Sequence, residues 1–101
     1  MEKYQVIVTN KAQSDVAECI NFVRRVSKEA AYKLADDLYS SFYSLECFPE
    51  KNAIFPTPKA FPFTLRKQVV NNRYLVLYTV EEDKVVIYRV LDVRRNFQQL
   101  L

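Results

Sequence analysis

Residues 73–91 read RYLVLYTVEEDKVVIYRVL, and this stretch decides the fold. Arg73–Val80 is apolar on both alternating faces, the pattern of a central strand covered on both sides. Lys84–Leu91 repeats it, and Glu81–Glu82–Asp83 between them reads as a turn. Upstream, PFTLRKQVV (about 62–70) forms a third strand, joined to the second through Asn71–Asn72. Asparagine tolerates left-handed backbone, which a glycine-free chain needs at its tight turns.

KYQVIVT (Lys3–Thr9) alternates as a fourth strand, which must join the same sheet to satisfy its backbone groups. Asn10 followed by Gln13 reads as a capping box opening a helix. Ala12, Val16, Cys19, Ile20 and Val23 then recur at helical spacing. Ser27 is the expected N-cap of a second helix, whose stripe is Ala31, Leu34, Leu38, Phe42 and Leu45 and which runs to about Phe48. Pro49, Pro56, Pro58 and Pro62 make the next stretch an irregular connection, packed down by Ile54, Phe55 and Phe61. The expected class is α+β: a β-α-α-β-β-β order, with a helical hairpin on a small, mostly antiparallel sheet. Residues 1–101 read as a single domain.

Composition excludes several chemistries. The chain has no glycine, so glycine-rich phosphate cradles fail, and no histidine, so Ser-His-Asp and Cys-His nucleophiles fail too. Cys19 and Cys47 lie in apolar helical contexts and read as reduced packing residues. No metal and no cofactor is expected. MEKYQVIV is a charged start to a strand and not a signal peptide, and the expected compartment is the cytoplasm.

The net charge of +3 is uneven. Residues 1–58 carry a balance of −1, and residues 59–101 one of +4. Strand alternation puts Arg66 with Thr64 and Gln68, and Arg89 with Ile87 and Leu91. With helices covering one face, Arg66 and Arg89 are expected on the open face or its rim, with Arg94 and Arg95 at the end of the last strand. Arginines so placed either sit solvated or line a phosphate-binding groove, where Tyr74, Tyr78 and Tyr88 would supply stacking surfaces.

The opening YQVIVTNKAQSDVAECINFV, the helical hairpin and the closing RKQVVNNRYLVLYTVEEDKVVIYRVLDVRRN together resemble the RelE/ParE superfamily of bacterial type II toxin–antitoxin toxins. The resemblance covers nearly the whole chain and implies a growth-inhibiting toxin neutralised by an acidic antitoxin in a heteromeric complex. RelE-like members cut mRNA on the ribosome by attack of the 2′-hydroxyl on the adjacent phosphate, without metal. ParE-like members poison DNA gyrase and lack the nuclease residues. On the first branch, Arg66 and Arg95 are the catalytic candidates, stabilising the phosphate. Lys67, Arg73, Arg89 and Arg94 are candidates for binding nucleic acid or another target. Gln68 and Leu75 stand where such nucleases often carry Lys and Arg, and the C-terminal tyrosine of some members has no counterpart before Leu100 and Leu101. The ribosome-dependent nuclease is the first expectation, with a gyrase inhibitor or a non-toxic antitoxin-binding relic as alternatives.

Overall fold

The computed structural model describes residues 3–95. The elements are β1 (Gln5–Val8), α1 (Asn10–Arg24), α2 (Lys28–Ser44), a 3-10 turn (Pro49–Lys51), β2 (Ile54–Phe55), β3 (Leu65–Val70), β4 (Tyr74–Glu81) and β5 (Lys84–Asp92). They build one five-stranded sheet in the order β1-β5-β4-β3-β2. β1 runs parallel to β5, and the other pairings are antiparallel. The α+β architecture expected from the pattern is present, with β2 as an added short edge strand.

Helix boundaries follow caps. Thr9, not Asn10, caps α1: its backbone is extended and its Oγ accepts the Ala12 amide at 3.1 Å. Gln13 instead donates from its side-chain amide to the Val8 carbonyl at 3.0 Å. Ser27 caps α2 as expected, accepting the Ala30 amide at 3.1 Å. α2 ends at Ser44, earlier than the apolar stripe suggests, and Phe48 turns the chain with a φ of 51°. The asparagine turn has the left-handed geometry its sequence called for, with φ of 55° at Asn71 and 54° at Asn72. Glu82 does the same work in the next turn at φ 52°, a conformation that costs a residue with a Cβ about 1 kcal/mol.

The sheet has two cores. On one face, the helices bury Ala12, Val16, Leu34, Leu38 and Phe42 against Val76, Tyr78, Val85 and Ile87. The other face was expected to be open, but it is roofed. Leu65, Leu75, Leu77 and Leu91 lie under Phe55, Phe61, Phe63, Tyr88 and Val93. The proline-punctuated segment therefore folds back across the sheet, and three of its aromatic contacts are edge-on: Phe61–Phe63 at 4.7 Å, Phe61–Tyr88 at 5.7 Å and Phe63–Tyr88 at 5.5 Å. β4 is buried from Tyr74 to Thr79, the two-sided burial its sequence demands. Among the described residues, no helix is long and apolar enough to cross a membrane.

Candidate functional site

A bulge in β5 sets the geometry of the basic strand end. Leu77 pairs with Arg89 but Tyr78 pairs with Ile87, which leaves Tyr88 as the extra residue. The extra residue shifts the alternation, so Val90 rejoins Val76 in the helix-side core and Leu91 meets Leu75 in the roofed one. Because β1 stops opposite Ile87, the outer edge of β5 beyond it lacks a strand partner. α1 covers that edge with the buried Asp15, whose Oδ2 accepts the Val90 amide at 3.0 Å.

Arg89 completes this contact. Its Nε donates to Asp15 Oδ2 at 2.7 Å and its Nη2 to Oδ1 at 3.2 Å. The Asp15 hydrogen bond raises the guanidinium's already high pKa. A second pair lies at the end of the strand. Arg73 donates from Nε and Nη2 to the two carboxylate oxygens of buried Asp92, at 3.1 and 2.9 Å. Asp92 Oδ1 also accepts the Arg94 amide at 3.0 Å. Burial pushes the Asp92 carboxyl upward, yet the hydrogen bonds from Arg73 and the Arg94 amide prevail and hold it below the ordinary carboxylate range. Arg89, expected on the open face or its rim, and Arg73, a candidate for target binding, are thus each engaged by a carboxylate.

Arg66 is also placed differently from the expectation. It stands opposite Tyr78 on β4, and its Nη1 donates to the carbonyls of Asn52 at 2.7 Å and Glu50 at 3.1 Å. It therefore ties β3 to the 3-10 turn on the helix side of the sheet. Its neighbour Gln68 does similar work, donating to the Ser41 carbonyl of α2 at 2.8 Å. Buried Tyr78 donates to the Pro49 carbonyl and receives the Asn52 side-chain amide. Tyr74 and Tyr78, read as stacking candidates, are core residues at 4% and 0% exposure. Lys67 is exposed on the opposite side of β3, paired with Leu77.

Arg94 and Arg95 are exposed in the turn that follows β5. The Arg95 guanidinium lies over the Phe22 ring of α1, 4.2 Å from its centroid. Arg66 and Arg95 are not brought together. Arg66 is in register with Tyr78, and Asp92 with Tyr74, on the far side of β4. Four strand residues separate these registers by about 13 Å, so the two guanidiniums address different neighbours. Between Arg89 and Arg95 is a polar cavity of about 30 Å³, lined also by Asp15, Glu18, Cys19 and Asp92. It has room for little more than a water molecule. Among the described residues, no group of three His, Cys, Asp or Glu side chains is placed to hold a metal ion.

Sequence reasoning did not foresee Asp15 as the partner of Arg89, nor Phe22 as the platform for Arg95. Asp15 reads as an outward-facing residue of α1, yet it lies three residues after Ala12 and four before Cys19, and that helical spacing is the signal that could have found it.

The family model described as the ParE toxin of type II toxin–antitoxin system, parDE, matches residues 6–97 of this chain. A search of the curated protein sequences finds no significant match. Eight chains of solved structures match, among them one described as the chromosomal ParDE TA system from P. aeruginosa. That chain is 18% identical, with a TM-score of 0.70, and the match covers 89% of this chain and 96% of the other.

Proposed function

We propose that this chain, which belongs to the ParE family of type II toxin–antitoxin toxins, inhibits DNA gyrase by binding it and has no nuclease activity of its own. The match of the ParE model over residues 6–97 carries this reading. The placement of Arg66 and Arg95 supports it. Ribonuclease chemistry needs charge concentrated on one phosphate and a proton-handling group beside it. Arg66 is instead committed to two backbone carbonyls, and Arg95 rests on Phe22 at the other end of the sheet. In this reading the protein works in the cytoplasm, beside an acidic antitoxin that holds it silent in a heteromeric complex.

Purified chain added to gyrase in a supercoiling assay tests the proposal directly. Inhibition that scales with toxin concentration, with a parallel cell-free translation reaction left at full rate and its message intact, is the expected result. Message cut at codon positions in the presence of ribosomes, with supercoiling unaffected, would sink it in favour of the ribosome-dependent nuclease. Neither effect, from a chain that still binds its antitoxin, would leave the non-toxic relic. Arg66→Ala separates the two activities further. It should lower stability by about 1–2 kcal/mol through the lost carbonyl contacts, while gyrase inhibition by the folded fraction persists.

A further inference from the structure

The structure divides the arginines into two sets. Arg73 and Arg89 are neutralised by buried carboxylates. Arg24, Arg25, Arg94 and Arg95 are exposed and form no ion pair among the described residues. Two of this set, Arg25 and Arg95, meet at Phe22, itself 37% exposed on α1, and Arg24 and Arg94 adjoin them in sequence. Arg95 lies 4.2 Å from that ring's centroid and Arg25 6.0 Å from it. One phenyl ring thus holds two guanidiniums within about 10 Å of each other. Arg24 ends α1 just before Arg25, Lys28 opens α2 just after it, and Arg94 precedes Arg95.

We propose that this Arg25–Phe22–Arg95 cluster, with Arg24 and Arg94, is a docking surface for the phosphate backbone of duplex DNA. Guanidiniums recognise phosphate oxygens bidentately and stay charged at every working pH. The aromatic ring orients two of them in advance, which lowers the ordering cost of binding. The acids nearby are Glu18, one helical turn before Phe22, Glu29 in the first turn of α2, and Asp15 and Asp92, which share a cavity with Arg95 but are each paired with another arginine, so the patch keeps a net positive charge. The α1 C-terminus and the α2 N-terminus meet at this turn and their dipoles offset each other, so the side-chain charges decide. No sequence is read here: the contacts are to backbone charge alone. The choice of DNA rests on the gyrase reading, since gyrase acts on duplex DNA, but the binding itself needs no gyrase.

The test uses the purified full chain and a fluorescent 20-base-pair duplex without gyrase, followed by anisotropy across a salt series. About four phosphate contacts predict affinity falling about a hundredfold between 50 and 200 mM salt. Arg24→Ala/Arg25→Ala should halve the salt slope, so that the same salt change weakens binding only about tenfold. Phe22→Ala should weaken binding about threefold by releasing the two guanidiniums. Lys51→Ala/Lys59→Ala removes the same charge elsewhere and should leave the slope nearly unchanged. Unaltered thermal melting of the arginine variant certifies its fold, since both side chains are exposed. No binding at 50 mM salt would overturn the proposal. Equal losses in the lysine and arginine variants would reduce it to net charge. Tighter binding of a polyglutamate peptide or an RNA duplex, lost in the arginine variant, would assign the surface to a different partner.

Discussion

Arg89 and Asp15, 74 residues apart in sequence, form a two-point ion pair whose carboxylate also holds the Val90 amide. One side chain on α1 thus closes the strand edge that β1 leaves open and neutralises the one arginine within the apolar run of β5. With Asp15 5% exposed and Arg89 20% exposed, removal of either partner strands the other's charge or leaves a strand amide unmet.

Asp15→Ala should therefore destabilise the fold by about 3 kcal/mol, read from equilibrium urea denaturation. Asp15→Leu combined with Arg89→Met should cost clearly less than the two single changes added together. Additive losses would show that the pair is not coupled.

The second pair carries a pH signature. Asp92 has a folded pKa below its unfolded value of about 3.9. Its contribution is thus present above pH of about 4 and disappears as pH falls through the folded value. Thermal melts of the native chain and Asp92→Asn should differ at pH 7 and converge as pH drops below 4. A gap that stays constant down to pH 2.5 would refute this assignment.

The aromatic roof is the only cover described over the second core. Leu77→Ala beneath it should cost about 2–5 kcal/mol, since Leu77 is fully buried. Phe61→Ala removes edge contacts to both Phe63 and Tyr88 and should expose the proline-rich segment. Limited proteolysis should then cut near residues 56–63 much faster than in the native chain, with the helices intact. Equal cleavage rates would mean that the roof is held by its backbone alone.

The two thiols should label separately. Both are free, Cys19 buried and Cys47 half-buried. Burial, and after it the Asp92 charge, pushes the Cys19 thiol up to about 11. At pH 8 Cys47 should react with a thiol reagent from the folded state, while Cys19 should react only at the rate of opening. Mass spectrometry of the labelled peptides distinguishes the two, and prompt labelling of Cys19 would contradict its burial.

Much of the architecture was legible from local pattern. The doubly apolar β4, the Ser27 cap and the asparagine turn each follow from residues within a few positions of one another. The arginines were legible as a basic strand end, but their individual states were not. Arg66 was expected on an open face. It lies on the helix side because β3 alternates Arg66, Gln68 and Val70 towards the helix-side core. The other face is not open over β4 and β5, because Phe55, Phe61 and Phe63 cover its leucines, and it leaves Lys67 and Val69 exposed on β3.

Periodicity, capping and composition depend on neighbours in sequence, so the chain's residues alone determine the order of its helices and four main strands, its buried central strand and the excess of cations at its C-terminal end. Which cations are neutralised depends on contacts 19 residues apart for Arg73 and 74 apart for Arg89. A single bulge residue, Tyr88, reverses the facing of everything after it. Only the assembled sheet and hairpin decide these matters, because a carboxylate acts on the guanidinium that folding brings within hydrogen-bond reach. That same assembly brings Arg25 and Arg95, unpaired among the described residues, around one phenyl ring.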